Sequence, residues 1–140
     1  MHLNVEKIVE TLNLEPHPEG GYFRRTFKNE LGPTNPDGST RGHASAIYFL
    51  QLSDYSRWHR CDGDELWFWH AGAPLTLELR EVDGSITTKK LGLDFSLGEQ
   101  PQLLAPANQW QRAKSDGEWT LVSCSVSPGF LFEKFEMEHD

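Results

Sequence analysis

The sequence lacks an excess of basic residues. Lys and Arg together number 13, Asp and Glu number 21, and the formal net charge is −8. Proteins that bind nucleic acid neutralise its phosphates with a basic surface, so this charge balance predicts no nucleic-acid partner. The one notable basic cluster is Arg24-Arg25, with Lys28 nearby.

Long apolar runs and paired cysteines are also missing. No apolar run approaches the roughly 20 residues that cross a bilayer, and the first residues, MHLNVEKIVE, do not resemble a signal peptide. The two cysteines, Cys61 and Cys124, show neither CxxC nor disulfide-framework spacing. We therefore expect free thiols in a reducing compartment, and a cytoplasmic protein without a membrane partner.

Aromatic residues, by contrast, are abundant. The chain contains five Trp and eight Phe, which suit a β-rich core or a pocket with aromatic walls. Its 140 residues favour a single domain, residues 1–140, with a proper hydrophobic core.

Hydrophobic periodicity predicts one helix followed by many strands. Val5, Ile8, Val9 and Leu12 fall at i, i+3, i+4 and i+7, which indicates a helix that starts at the N-cap Asn4. The prolines and glycines of residues 15–21 end it. Strands are predicted at 21–28, 43–52, 65–70, 74–81, 86–91, 103–104, 110–113 and 119–126, with a polar loop at 29–42 and hairpin turns at 83–84 and 115–117. This pattern is typical of an antiparallel sandwich or barrel.

The most informative segment is residues 58–72, WHRCDGDELWFWHAG. Strand alternation puts Glu65, Trp67 and Trp69 on one face and the intervening residues on the other. A strand that is apolar on both faces belongs inside a barrel or between sheets. A carboxylate there must be paired, hydrogen-bonded or bound to a cation, because burying it bare is costly.

The spacing in this segment resembles the first cupin motif, a glycine, HxH, a glutamate and a later glycine. His59, Cys61, Glu65 and Gly72 reproduce it, with cysteine in place of the second histidine. The second motif, PxGxxH, falls on residues 106–111, where Asn108 replaces the glycine and Gln111 the histidine. Asn tolerates a left-handed backbone, so Asn108 is a mild departure, whereas Gln111 is a serious one.

Longer stretches resemble one small cupin family, described as a domain of unknown function and similar to sugar-nucleotide epimerases of the rhamnose pathway. They are LEPHPEGGYFRRTF, SAIYFL, WHRCDGDELWFWHAG, LGLDFSLGEQPQLLAPANQWQ and SPGF. The resemblance implies a mainly β jelly-roll barrel, usually homodimeric, with a small-molecule pocket at one end.

The resemblance also raises the question of a metal. Cupin sites normally hold a divalent transition metal with three imidazoles and one carboxylate. This chain offers His59, Cys61, Glu65 and Gln111 at those positions, and a neutral amide is a weak ligand. We predict no tightly bound cofactor, while a weakly bound divalent ion on His59, Glu65 and Gln111 stays open.

Without a metal, His59 and Glu65 can still act as an acid–base pair, because a carboxylate can orient an imidazole as a general base. The epimerases use such a histidine with a tyrosine acid, and Tyr22 or Tyr48 would be that tyrosine here. Further candidates for ligand contacts are Ser45, Trp67 and Gln111, whereas His2, His17, His43 and His139 are expected at the surface or in ordinary hydrogen bonds.

The strand after the glycine pair offers one arginine to each face. Alternation puts Tyr22 and Arg24 on one face and Phe23 and Arg25 on the other. The resemblance favours Arg24, which follows GGYF directly, as a bidentate grip for a carboxylate or phosphate. The alternative is an internal salt bridge from Arg24 to Glu65.

Two functions follow from these residues. The first is a pocket for a small polar, anionic or sugar-like ligand, with epimerase or isomerase activity, in which His59, Glu65, Arg24 and Gln111 converge. The second is a binding or sensing module without turnover, built on a scaffold that has lost its metal ligands. A dioxygenase, which needs iron, fits worst.

Overall fold

The helix forms where the apolar periodicity predicts it. The structure is a computed structural model that describes residues 2–29 and 31–138. Helix α1 spans Val5–Leu12; the side chain of Asn4 accepts a hydrogen bond from Lys7 N at 2.8 Å, and Asn13, at φ 54°, ends the helix. The predicted helix and its N-cap are therefore confirmed.

The described residues contain eleven strands. They are β1 Glu15–Pro16, β2 Tyr22–Lys28, β3 Ser45–Leu52, β4 His59–Arg60, β5 Asp64–Gly72, β6 Leu75–Arg80, β7 Ile86–Leu91, β8 Gln102–Ala105, β9 Gln111–Ser115, β10 Trp119–Ser127 and β11 Glu136–Met137. The longer ones match the predicted strands within a few residues. The three strands that the sequence does not predict, β1, β4 and β11, have two residues each and so carry no alternation to detect.

Two antiparallel sheets enclose the core. One has the order β1-β2-β3-β10-β5-β8 and the other β11-β4-β9-β6-β7. Their inner faces pack around Phe49, Trp67, Leu77 and Val122, all of which are buried. This arrangement confirms the predicted mainly β, antiparallel barrel with one N-terminal helix.

The outer face of the six-stranded sheet is divided. Helix α1 covers one part through Ile8, which packs with Leu50 and the partly buried Tyr22 and Tyr48. Leu104 lies elsewhere in this sheet and is 42% exposed.

The hairpin turn at residues 83–84 forms as the sequence predicts. Gly84 has φ 89°, and Ser85 N donates to the Asp83 carboxylate at 2.9 Å, as a tight hairpin between β6 and β7 requires. Glu30, in the predicted polar loop, and His139 lie outside the described residues. Within the described ranges, no helix is both long and apolar enough to cross a membrane.

Candidate functional site

A cavity of about 250 Å³ lies between the sheets at one end of the barrel. Strands β2, β3, β5 and β10 form one wall, and His59 and Cys61 lie on the other side. The segment before β2 and the C-terminal segment complete the lining. Of the candidates from sequence, His59, Glu65, Ser45 and Trp67 line this cavity.

A glycine turn folds Glu19 into the barrel. His17 N donates to Gly21 O, and Gly20 N donates back to His17 O, both at 3.0 Å. Gly21 has φ 74°, and a Cβ there would lie 2.6 Å from the carbonyl oxygen of Leu50. Only glycine fits that backbone, so the Gly-Gly pair turns the chain tightly enough to bury Glu19.

The Glu19 carboxyl group forms a hydrogen bond with the His59 ring, and a single proton lies between the two groups. His59 Nδ1 lies 2.9 Å from Arg57 O, which can only accept, so Nδ1 carries a proton and donates it. His59 Nε2 lies 3.2 Å from Glu19 Oε2. In a neutral imidazole that nitrogen is an acceptor, so a protonated Glu19 donates to it.

Burial favours this neutral form of the pair. Desolvation, with the nearby charge of Glu65 adding to it, raises the pKa of Glu19 well above its usual range. Desolvation lowers the pKa of His59 to about 4. We therefore describe the contact as a carboxylic acid hydrogen-bonded to a neutral imidazole rather than as an ion pair.

His17 lies beside this pair with its side chain 7% exposed, and of the two roles expected from sequence, surface residue or ordinary hydrogen-bonding residue, it has the second. Its Nδ1 accepts the backbone N–H of Glu19 at 3.1 Å, which fixes a neutral ring with the proton on Nε2. Burial, and then the proximity of His59, lower its pKa to about 4.

Glu65 faces the cavity from the opposite wall, and no cation of residues 2–29 or 31–138 forms an ion pair with it. Its Oε1 accepts from Gln111 Nε2 at 2.8 Å, and Gln111 Oε1 in turn accepts from Trp67 Nε1 at 3.2 Å. Desolvation raises the pKa of Glu65 to about 7, partly offset by hydrogen bonds from Gln111, Cys124 and Trp67. This carboxyl group is therefore poised to exchange a proton near neutral pH.

Gln111 lies behind Glu65 and not on the cavity wall. Both ends of its amide are used, one by Glu65 and one by Trp67. The fixed orientation means that Gln111 can influence a ligand only through Glu65. The structure thus places Gln111 next to the predicted pocket residues but gives it no surface in the cavity.

The prediction that Arg24 lies in one pocket with His59 and Glu65 is wrong. Its neighbour Arg25 lines the cavity instead. Arg24 lies on the outer face, where its Nε donates to Leu12 O at the end of α1 at 2.7 Å and its guanidinium lies over the Tyr48 ring. It forms no salt bridge with Glu65. Register explains the difference, because Phe23 and Arg25 share the inner face with Phe49 and Ile47.

The tyrosine candidates are also on the wrong face. Tyr22 and Tyr48 pack under α1 on the outer side of the sheet, and Tyr55 contacts Arg112 and Lys114. All three tyrosines lie in the described part of the chain, and none lines the cavity. A tyrosine acid in this cavity is therefore excluded.

Comparison with known proteins identifies the family. Residues 6–138 match the family described as Cupin_5: Cupin superfamily (DUF985). This chain belongs to that cupin family. The match covers both sheets and the cavity.

Three relatives of this cupin are known by names that print no activity. An uncharacterized protein of Saccharomyces cerevisiae, YML079W, is 24% identical over 93% of this chain and 73% of its own length. The crystal structure of protein SO0799 from Shewanella oneidensis is 37% identical, with a TM-score of 0.89 over 98% of this chain and 85% of that one. A hypothetical protein from Leishmania major is 30% identical, with a TM-score of 0.86 over 97% and 88%.

A more distant likeness shows the fold alone. Oxalate decarboxylase from Bacillus subtilis superposes with a TM-score of 0.62 over 87% of this cupin and 29% of that enzyme, at 11% identity.

The residues at the cupin ligand positions do not fit a metal. Burial raises the pKa of the Cys61 thiol to about 12, and its Sγ donates a hydrogen bond to Gly63 O. The Gln111 amide and the free nitrogen of His59 are engaged as described above. Among residues 2–29 and 31–138, no group of three or more His, Cys, Asp or Glu side chains is placed to hold an ion.

Low metal content therefore stays a prediction. Elemental analysis of protein purified without added metal is expected to show far less than one transition-metal ion per chain. One iron, manganese, nickel or zinc per chain that survives mild chelation would contradict this ligand argument.

Aromatic rings surround the cavity from its floor to its mouth. Trp67 contacts Phe49, Phe49 contacts His17, and His17 contacts Phe135, with ring centroids 5.4 to 6.3 Å apart. Phe130 and Phe132 continue the series beside Phe135. Trp67 is 2% exposed and Phe132 is 55% exposed, which marks the buried and open ends.

The C-terminal segment is held over the cavity by backbone contacts. Phe130 N donates to Ser45 Oγ at 2.9 Å, which is the role that this predicted pocket serine has in the structure. Strand β11 pairs with β4, next to His59, and Glu138 N donates to Trp58 O at 2.8 Å. The segment therefore forms part of the cavity wall.

Sequence reasoning missed Glu19, His17, Arg25 and these phenylalanines. The available signal was the acidic residue in HPEGG, between a proline and a pair of glycines. From sequence, that segment indicates a helix end and part of the family resemblance, but no buried side chain. The C-terminal phenylalanines have no strand periodicity that would direct them inward.

Proposed function

We propose that this cupin is a metal-independent isomerase that moves protons on a small anionic carbonyl compound. One observation carries the proposal: Glu65 and the Glu19–His59 pair, both able to exchange protons, face one small cavity from different walls. Groups of this kind clustered in a cleft are typical of acid–base sites.

The charges of the two groups suggest which one removes a proton from the substrate and which one donates a proton to it. Ionised Glu65 takes a proton from the carbon next to the carbonyl group, and that C–H bond breaks. The proton between Glu19 and His59 passes to the carbonyl oxygen, which gives a neutral enol. One negative charge has moved from Glu65 to Glu19, so the two carboxylates are never ionised together.

Return of protons completes the reaction. Glu65 returns its proton to a carbon of the enol, the enol oxygen returns its proton to Glu19, and the carbonyl bond re-forms. If the proton returns to the other face of the same carbon, the product is an epimer. If that carbon carries a hydroxyl group, Glu65 can instead return the proton to the former carbonyl carbon while the hydroxyl proton passes to Glu19, and the product is an isomer whose carbonyl group has moved by one carbon. Both outcomes start with the same proton abstraction.

Arg25 supports an anionic substrate. It lines the mouth of the cavity, and its guanidinium forms no hydrogen bond or ion pair with the described residues. An unpaired guanidinium is suited to bidentate binding of a carboxylate or phosphate.

Solvent-deuterium exchange tests the proposed activity. The protein is incubated in D₂O with a panel of 2-keto acids and keto sugar phosphates, and label at the carbon next to the carbonyl is followed by NMR. We expect exchange on at least one substrate above the buffer rate, and loss of it in Glu65→Gln. A panel that shows no enzyme-dependent exchange would contradict the proposal.

A binding or sensing module without turnover is the second candidate. It is favoured by Cys61 and Gln111, which stand where the resemblance expects imidazoles. A ligand that binds in the cavity with no exchange or conversion would support it.

We further propose a homodimer formed through the outer face of the six-stranded sheet. Leu66 and Phe68 alternate with the cavity residues Glu65 and Trp67 of β5, and Leu104 alternates with the core residues Leu103 and Ala105 of β8, so they point outward. Helix α1 covers another part of that face, while Leu104 is 42% exposed and Leu66 and Phe68 are partly exposed.

A further inference from the structure

We propose that the ligand of this cavity is a small carboxylate with an aromatic body, bound at its carboxylate by Arg25 and enclosed by the aromatic rings. The inference deepens the proposed function, because it names the class of substrate for the same site. It departs from the sugar-like ligand that the sequence suggests.

The cavity wall is suited to a flat apolar body. The ring series runs from Trp67 through Phe49 and His17 to Phe135, and Phe23 packs edge-on against His17 with centroids 4.5 Å apart. Ile47 and Val126 fill the wall between the rings. Rings that present their edges and faces to one space favour an aromatic guest.

The polar groups of the wall are mostly in use, which disfavours a sugar. Glu19 and His59 bind each other, and His17 binds the Glu19 backbone. Ser45 Oγ binds Phe130 N. A sugar ring would bring several hydroxyl groups into this space, and each one left without a partner would cost binding energy.

The size of the cavity excludes a nucleotide sugar as an enclosed ligand. Its volume of about 250 Å³ lies below the roughly 300–1,000 Å³ that is usual for pockets enclosing drug-sized ligands. A single aromatic ring with a short side chain fits this scale.

Arg25 supplies the contact for the charged end. It is exposed and unpaired among the described residues, and the exposed Glu15 also lines the cavity, whereas the buried end of the cavity holds Glu65. An anionic group would therefore bind at the mouth, away from that carboxylate. The aromatic body would then point into the cavity, so the ligand would bind in a single orientation.

Isothermal titration calorimetry with four probes tests the assignment on the full chain. Phenylpyruvate carries both the ring and the carboxylate, phenylacetone lacks the carboxylate, pyruvate lacks the ring, and fructose 6-phosphate is the sugar anion. We expect phenylpyruvate to bind about tenfold or more tightly than each of the others. Fructose 6-phosphate binding as tightly as phenylpyruvate, or no binding of phenylpyruvate, would overturn the inference.

Two neighbouring arginines provide a matched pair of variants. Arg25→Gln should weaken phenylpyruvate about fivefold or more and leave phenylacetone unchanged. Arg24→Gln, on the outer face, should leave both affinities unchanged. Equal effects of the two variants, or no effect of Arg25→Gln, would overturn the role of Arg25.

The outcomes separate this inference from the proposed function. Binding of phenylpyruvate as expected, with no exchange on any panel member, would support the ligand class and contradict the isomerase. Enzyme-dependent exchange confined to sugar phosphates would contradict the ligand class and support the isomerase.

Discussion

At the scale of single residues, the site depends on two carboxyl groups that have no cation beside them among the described residues. Desolvation therefore raises the pKa of both Glu19 and Glu65, and the hydrogen bond from Gln111 offsets only part of the rise for Glu65. The sequence could predict that Glu65 points inward, because alternation along β5 requires it. It could not predict Glu19, because a residue in a glycine turn has no periodicity and its burial depends on β4, far along the chain.

Glu65 should make the protein less stable as pH rises. Its pKa is about 7 in the folded state against an ordinary value of 4.5, so the folded state binds more protons between those values. Stability from this group is thus full below pH 4.5 and lost as pH rises through about 7. Glu65→Gln should remove that loss, worth about 3 kcal/mol at pH 8.

Chemical denaturation at several pH values measures this effect. The free energy of unfolding of Glu65→Gln minus that of the wild type should grow between pH 4.5 and 7. Glu118→Gln, at an exposed turn, is the control for the loss of one carboxylate. A difference that stays flat for Glu65→Gln would show that this carboxyl group is ionised in the fold without penalty.

At the scale of the element, strand β2 decides which arginine reaches the cavity. Alternation predicts that one of Arg24 and Arg25 shares a face with Phe23, and this is what the register shows. The prediction that Arg24 binds the ligand is wrong, because it depends on the position of Arg24 after GGYF. It does not depend on which face of β2 Arg24 shares with Tyr22. Which face points inward depends on α1, since the helix packs on the Tyr22 side.

Substitution of each glycine in the Gly-Gly turn before β2 should destabilise the fold to a different extent. Gly20 and Gly21 both have positive φ, but only at Gly21 would a Cβ meet the Leu50 carbonyl. We expect Gly20→Ala to destabilise the fold by about 1–2 kcal/mol through backbone strain alone. Gly21→Ala should cost clearly more and displace Glu19.

Thermal denaturation of the two variants checks this difference. His59 provides a second signal, because displacement of Glu19 should shift its ring-nitrogen resonances. Equal destabilisation by both substitutions would show that the approach to Leu50 does not restrain the turn.

At the scale of the whole molecule, the barrel was predictable because its long strands alternate strongly and its turns carry Asp-Gly and similar signals. Asn108 has φ 65°, as its replacement of a motif glycine suggests. The closure of the cavity was not predictable, since the C-terminal segment joins through a two-residue strand.

Assembly is a prediction at this scale. We expect a dimer in light scattering at micromolar concentration, with Leu104 at its interface. Leu104→Glu should yield a monomer, because a charge would be buried without a partner. Ile86→Glu, at a 45% exposed site on strand β7 of the other sheet, should remain dimeric. A monomeric wild-type protein would contradict the proposed interface.

The pH profile of deuterium exchange tests the central claim most directly. The rate of exchange next to the carbonyl group is measured from pH 5 to 9 on the panel substrate that exchanges fastest. If ionised Glu65 is the base, the rate should rise with pH and level off above a pKa of about 7. Glu65→Gln should then lower the plateau by roughly 100-fold or more. A rate that is independent of pH across this range, or unchanged in Glu65→Gln, would contradict the account.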